Sequence, residues 1–128
     1  MHFRVAPLSG VRRILGNVGA NIESDYIHTV YLKLYDFADG IDHPWSVAAF
    51  NARAGMVRWL AGEGVWVEDG HFLAPHFIYA ESGSWPITAQ ECADLVAQGV
   101  GPPSAFKELR RITPEQARGL PSAPPRRT

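Results

Sequence analysis

Residues 58–75, RWLAGEGVWVEDGHFLAP, contain the strongest turn signal in the chain. Gly62 and Gly64 predict the end of a helix, because glycine is common immediately after a last helical turn. The pair Asp69-Gly70 suits the two positive-φ positions of a type I′ turn, and apolar and polar residues alternate on either side of it. This stretch therefore predicts a helix followed directly by a β-hairpin that turns at Asp69-Gly70.

Apolar residues at helical spacing predict two helices before this stretch, over about residues 25–39 and about 43–60. Gly55 lies inside the second helix, where glycine costs about 1 kcal/mol relative to alanine, so the segment could be divided in two. After the hairpin, ITAQECADLVAQG has a Thr-Glu capping box at its start and a glycine at its end, which predicts a helix. SAFKELRR and TPEQARG indicate two short helices, and HFRVA near the N-terminus indicates a short strand with a brief helix after it.

The chain has 128 residues, of which 46% are hydrophobic, and this suits one compact domain with a single core. We expect an α+β fold in which a helix-rich single layer, of about five or six helices, packs on a small antiparallel sheet of the hairpin type. Residues 1–120 form the predicted globular domain. Residues 121–128, PSAPPRRT, are rich in proline and poor in apolar side chains, and therefore predict a disordered C-terminal tail.

Cysteine usage and hydropathy indicate the compartment. Cys92 is the single cysteine, which excludes an internal disulfide and a cysteine-rich zinc site. The N-terminal residues lack the apolar stretch of a signal peptide, and nowhere do about 18 apolar residues follow one another. We expect a cytoplasmic, soluble protein that does not enter a membrane.

The formal net charge of −1 is the sum of three unequal segments. Residues 1–22 carry +3 and residues 104–128 carry +4, whereas residues 23–103 carry −8, from eleven acids against three bases. An acidic body between two basic ends would attract a basic partner to its middle. This holds only where the acids are not already paired with the basic ends, and an ordinary solvated surface is the alternative.

We therefore expect a non-enzymatic binding protein, a bacterial or phage-like regulator, inhibitor or immunity-type protein that docks a basic protein partner through its acidic central surface. Tryptophan and tyrosine supply much of the binding energy at interfaces, although burial in the core is the alternative for each tryptophan. The predicted partner-binding residues combine acids with aromatic side chains: Asp36, Asp39, Asp42, Trp66, Glu68, Asp69, Tyr79 and Trp85.

The segment MVRWLAGEGVWVEDGHFLAP, residues 56–75, loosely resembles the winged-helix segment of many transcription regulators. The resemblance implies a nucleic-acid-binding regulator in which a helix near residues 51–60 enters the major groove and Asp69-Gly70 lies in the wing. Its nucleic-acid-binding residues would be Asn51, Arg53 and Arg58. Residues 62–72 contain three acids and no base, which disfavours contact with phosphates.

AFNARAGMVRWL and ITAQECADLVAQG are also similar to a group of small uncharacterised bacterial proteins, in which an Asn and a Gly-Met pair precede a Glu-Cys-containing helix. This resemblance points to Asn51 and implies no activity. The alternative for Asn51 is an amide that makes one backbone hydrogen bond.

A small enzyme that uses His71, His76 or Cys92 is the second alternative. Cys92 lies in the first turns of a predicted helix, where the helix dipole could lower its pKa, but no base is placed beside it and a core position is favoured. Two histidines with Glu68 are too few for zinc, and the spacing in DFADGIDH does not fit a calcium loop. We expect no catalytic residue, no metal and no cofactor.

Overall fold

The computed structural model of the chain describes residues 28–79, 83–104 and 108–125. In these ranges five strands form one antiparallel sheet with the order β4-β3-β2-β1-β5. The strands are β1 (Val30–Leu34), β2 (Ser46–Asn51), β3 (Gly55–Leu60), β4 (Val65–Glu68) and β5 (Ser84–Ile87). The helices are α1 (Gly70–Ile78), which follows β4, and α2 (Ala89–Ala97), which follows β5.

Both faces of the sheet are covered, so the domain has three layers. One core cluster joins α1 to alternate residues of β1 and β2: Leu32, Leu34, Ala48, Phe50, Leu73 and Phe77. A second cluster joins Cys92 and Val96 of α2 to the intervening strand residues and to Leu120. Successive residues of a strand point to opposite faces, and the residues of β2 alternate between the two clusters. The two helices therefore lie on opposite sides of the sheet.

The predicted α+β class is confirmed, but the expectation of a helix-rich layer on a small hairpin-type sheet is wrong. The described residues contain two nine-residue helices and a five-stranded sheet. In its described part, the helix expected over about residues 25–39 is β1 and the loop that follows it. The helix expected over about 43–60 is a hairpin of β2 and β3.

Burial on both faces explains these two errors. All six residues of β2 are buried, so its apolar side chains do not alternate with polar ones. Periodicity alone does not distinguish such a strand from a buried helix. β2 is also paired on both edges, since Ala49 lies opposite Tyr31 on one side and Val57 on the other.

Gly55 is the first residue of β3, directly after the tight turn at residues 52–54, and does not interrupt a helix. Its φ of +74° lies in the left-handed region, which glycine adopts without steric cost. The side-chain oxygen of Asn51 accepts a hydrogen bond from the Ala54 backbone N–H at 2.7 Å, and its amide nitrogen donates to the Thr29 hydroxyl at 3.1 Å. Asn51 is buried and therefore holds this turn from the inside.

The hairpin expected at Asp69-Gly70 is wrong as well. β4 pairs with β3 through a turn at residues 61–64, and Asp69 is instead the N-cap residue of α1. Leu73 and Phe77 lie one helical turn apart on α1, and both are buried against the sheet. The gain from burying these two side chains outweighs the local turn preference of the Asp-Gly pair.

The helix predicted from ITAQECADLVAQG is confirmed as α2. The Thr88 hydroxyl accepts a hydrogen bond from the Glu91 backbone N–H at 3.1 Å, and the Glu91 carboxylate accepts one from the Thr88 backbone N–H at 2.9 Å. Gly99 follows the helix with a φ of +82°. The capping box and the glycine therefore fix both ends of α2 by local interactions.

The C-terminal segment, residues 108–125, packs on the α2 side of the sheet. The described residues of SAFKELRR are not helical, and TPEQARG forms turns that are capped by Thr113 and Gln116. In the predicted tail, residues 121–125 are described, and Ala123 packs against the core cluster that contains Leu120. The strand and helix expected at the N-terminus lie outside the described residues.

Candidate functional site

The acids of the predicted docking surface, taken together with Glu63, fall into two groups that differ in their ion pairs. We call the first group the β4 acids, because Glu68 ends β4 and Glu63 and Asp69 lie just before and just after that strand. Their carboxylates lie 2.7, 2.6 and 2.8 Å from guanidinium nitrogens of Arg111, Arg110 and Arg58, respectively. We call the second group the loop acids, and it consists of Asp36, Asp39 and Asp42, in the loop between β1 and β2.

Backbone pairing brings two of these arginines to the β4 acids. Arg111 forms an isolated antiparallel bridge with Val67, and the Glu68 backbone N–H donates to the Arg110 carbonyl at 2.7 Å. Two hydrogen bonds, of 3.2 and 2.6 Å, then join the Arg110 guanidinium to the Glu68 carboxylate. These bonds hold the pKa of Glu68 below its ordinary value. The basic C-terminal segment thus neutralises this part of the acidic body.

Asp69, one of the predicted partner-binding residues, is buried. Its side chain is 6% exposed, and that of Arg58 is 12% exposed. The Arg58 guanidinium carbon lies 5.7 Å from the Trp45 ring centroid and 5.3 Å from that of Phe72. The carboxylate is buried beneath the guanidinium, while Phe72 on the outer side of the cluster is 41% exposed, so the ion pair lies at the edge of the interior.

The loop acids are exposed, and none of them is in an ion pair with another described residue. The Asp36 carbonyl accepts hydrogen bonds from the backbone N–H groups of Asp39 and Gly40, at 3.0 and 2.9 Å, and so closes a turn. Phe37 is 72% exposed and meets the Tyr35 ring edge-on. One short loop therefore presents three carboxylates and an exposed aromatic ring.

The aromatic residues of the predicted docking surface are placed differently from one another. Trp66 is buried, and its indole N–H donates to the Pro121 carbonyl at 2.8 Å, so it is part of the core. Trp85 is half-buried in β5. Tyr79, which follows α1, is 71% exposed.

A cleft of about 210 Å³ opens beside Asp42, between the loop, the sheet and α2. Its apolar lining consists of the half-buried residues Pro44, Ile87 and Leu95. Its acidic lining consists of the exposed residues Asp42, Glu91 and Asp94, and Lys33 of β1 also lines it. Because the acids are more exposed than the apolar residues, we place the carboxylates at the mouth of the cleft.

Two of the cleft carboxylates are held in position by residues of α2. Hydrogen bonds from Thr88, with a smaller contribution from the positive charge of Lys33, keep the pKa of Glu91 below its ordinary value. The Asp94 carboxylate accepts a hydrogen bond from the Gln90 side-chain amide at 2.9 Å. Glu91 is therefore a fixed negative charge at neutral pH, and α2 presents it next to Asp94.

The residues predicted to bind nucleic acid do not lie on a helix. Asn51 is buried at the β2–β3 turn, and Arg58 is in the buried ion pair with Asp69. Arg53, within the same turn, is half-buried and donates a hydrogen bond to the Arg118 carbonyl at 3.0 Å. Two of the three side chains are therefore inaccessible to phosphates.

The residues considered for catalysis lie on opposite sides of the sheet. Cys92 is buried in α2, and burial raises the pKa of its thiol to about 12, so the thiol stays protonated at neutral pH. His71 and His76 belong to α1. Proton transfer needs contact at about 3 Å or one bridging water, and the sheet prevents this between Cys92 and either histidine. Within the described ranges, no group of three or more His, Cys, Asp or Glu residues is placed to hold a metal ion.

No family model, curated protein or solved structure matches the chain. In the part of the chain that the structure describes, no helix has the length and apolar character needed to cross a membrane.

The sequence pattern does not reveal the α2 half of the cleft. It assigns Glu91 to the helix cap and gives Asp94 no role. The available signal is the polar face of α2, on which Gln90 and Asp94 are one turn apart. That this face lies next to Asp42 depends on the position of β5 beside β1, which no local pattern predicts.

Proposed function

We propose that this protein is a non-enzymatic binding protein of the regulator, inhibitor or immunity type, and that it docks a basic protein partner through the loop acids. The observation that carries this proposal is the difference in pairing between the two groups of acids. The β4 acids are paired with arginine, whereas the loop acids are exposed and in no ion pair with a described residue. The docking surface is thus smaller than the acidic segment of the sequence.

The electrostatic part of the proposal depends on the spacing of the loop acids. Asp36, Asp39 and Asp42 lie within one loop, where their potentials add and would steer a basic partner toward it. An exposed ion pair contributes about 0.2–1 kcal/mol, so three such pairs would change the dissociation constant about tenfold. Because salt screens these charges beyond roughly 10 Å at 0.1 M, the binding would be sensitive to ionic strength.

The apolar part of the proposal depends on Phe37. Phe37 is 72% exposed and therefore open to contact with a partner. Aromatic side chains are enriched at the centres of interfaces, where they bury a large area. Phe37 would therefore supply contact area at the centre of the surface, while the surrounding acids supply charge.

The test measures binding of the full chain to a fluorescent peptide of alternating arginine and glycine by anisotropy, at low and at moderate salt. We expect the dissociation constant to rise severalfold with salt. In the triple variant Asp36→Asn/Asp39→Asn/Asp42→Asn we expect it to rise about tenfold at low salt. Binding that does not respond to salt would contradict the proposal.

A second triple variant, Glu63→Gln/Glu68→Gln/Glu115→Gln, is the matched control. It removes the same number of charges, but from acids that are paired with Arg111, Arg110 and Arg118. We expect its dissociation constant to change by less than about twofold. An equal loss in both variants would show that only the net charge matters. Tighter binding to duplex DNA than to the peptide, with a steep salt dependence, would favour the nucleic-acid-binding regulator instead.

A further inference from the structure

The size of the cleft beside α2 limits what it can hold. Its volume of about 210 Å³ is below the roughly 300–1,000 Å³ of most small-molecule pockets. It is also open to solvent along the exposed side of α2. A cleft of this size suits one long side chain better than a cofactor or a segment of helix.

The charge of the cleft indicates the charge of the side chain that would bind in it. Three acidic residues and one lysine line it, which gives a formal net charge of −2. Among the residues that the structure describes, Asp42, Glu91 and Asp94 make no ion pair. The excess negative charge at the mouth is complementary to a cation.

The apolar lining of the cleft indicates that the side chain it binds is a long one. Ile87 and Leu95 pack against the core cluster of α2, so this wall belongs to the interior of the domain. Pro44 forms the wall on the side of the loop. Long basic side chains place their methylene groups on apolar surface and keep the charged end in a polar environment. The apolar wall of the cleft would contact the methylene groups of such a side chain, and the carboxylates at the mouth would contact its charged end.

We propose, on the basis of the proposed function, that the cleft receives one arginine side chain of the basic partner. Its methylene groups lie against Pro44, Ile87 and Leu95, and its guanidinium lies between Asp42 and Asp94. Arginine fits better than lysine because its planar fork has five N–H donors and can serve carboxylates from two different elements at once. An ammonium group is a single point charge, and Lys33 already places one in the cleft.

The test is a titration of the ¹⁵N-labelled full chain with N-acetyl-arginine amide, followed by NMR. We expect saturable shifts of the backbone amides of Lys33, Asp42 and Asp94. The citrulline analogue has nearly the same shape without the charge, and we expect no saturable shifts from it. Equal responses to the two compounds, or a lysine analogue that binds as tightly as the arginine compound, would overturn the assignment to arginine.

Two single variants and a matched control locate the site. Asp42→Asn and Asp94→Asn should each weaken binding of N-acetyl-arginine amide about fivefold or more, because each removes one acceptor of a charge-assisted hydrogen bond. Asp39→Asn removes the same charge from the same loop but outside the cleft. We expect it to weaken binding of N-acetyl-arginine amide by less than about twofold. An equal loss in Asp39→Asn would overturn the inference. Unchanged shifts elsewhere in the spectra show that the variants are folded.

Failure of this inference can be told apart from failure of the proposed function. In one outcome the triple loop variant binds the arginine-rich peptide more weakly, but the wild type shows no saturable binding of N-acetyl-arginine amide. This outcome overturns the cleft assignment and leaves the proposed docking surface standing. Absence of both kinds of binding overturns both. Glu91 is not suitable as a test position, since it also caps α2.

Discussion

The β4 acids and the loop acids come from the same acidic segment of the sequence, yet among the described residues the β4 acids are paired with arginine and the loop acids are in no ion pair. β4 is an edge strand, and the C-terminal segment pairs with it, which places Arg110 and Arg111 beside Glu68 and Glu63. The loop acids follow β1, which has a strand on each side. The charge of a segment therefore does not give the charge of a surface, because the pairing of the C-terminal segment with an edge strand decides that Glu63 and Glu68 meet arginines.

Asp69 sharpens this contrast, because it is paired in the interior whereas Glu63 and Glu68 are paired at the surface. Its side chain is 6% exposed, against 33% for Glu63 and 47% for Glu68. An exposed pair contributes little to stability, whereas the loss of one partner from a buried pair is costly. The three β4 acids should therefore respond very differently to removal of their arginines.

The largest effect is expected for Arg58→Met. This change leaves Asp69 buried without its counter-charge and removes the contacts of the guanidinium with Trp45 and Phe72. We expect the free energy of unfolding to fall by about 3–5 kcal/mol. Urea denaturation followed by tryptophan fluorescence measures it.

The double variant Arg58→Met/Asp69→Asn is the control for the first prediction. It removes the buried charge as well, so it should regain part of the lost stability. If both variants lose the same amount, the loss comes from the contacts of Arg58 with the rings and not from an unpaired carboxylate.

The elements that the sequence predicts well are those with local determinants. α2 is predictable because Thr88, Glu91 and Gly99 lie within twelve residues of one another and satisfy the helix ends themselves. β2 is not predictable in this way, because its burial on both faces depends on α1 and α2, which lie elsewhere in the chain. A strand covered on both sides has the apolar content of a helix.

The candidate site is only partly predictable for the same reason. The acidic character of this surface is predicted from the sequence, but the loop is not, because Asp36 and Asp39 fall in a predicted helix and lie in the loop between β1 and β2 instead. The pairing of Glu68 with Arg110 spans 42 residues, and that of Glu63 with Arg111 spans 48. Such contacts are set by the register of the C-terminal segment on β4, which has no signature in either segment alone.

The double variant Arg110→Gln/Arg111→Gln should make the β4 acids resemble the loop acids. It leaves Glu63 and Glu68 exposed without arginine partners. We expect the arginine-rich peptide to bind about twofold to threefold more tightly at low salt. The NMR signals of the core residues should stay where they are in the wild type. The single variant Arg118→Gln, which removes one charge and leaves Glu115 without its arginine on the C-terminal segment, is the control and should change binding less. Unchanged binding in the double variant would mean that the peptide contacts the loop acids alone.

The smallest effect is expected from the pH dependence of the pair between Glu68 and Arg110. Hydrogen bonds from Arg110 lower the pKa of Glu68 below its ordinary value of 4.5 in the folded protein. A lowered pKa means that the pair stabilises the fold fully above pH 4.5, and that this stabilisation is lost as the pH falls through the lower folded value. The difference in unfolding free energy between the wild type and Arg110→Gln should therefore be constant near neutral pH and vanish in acid. A difference that stays the same in acid would show that the Arg110 side chain stabilises the fold through its contact with the neutral Gln116 amide and not through the Glu68 carboxylate.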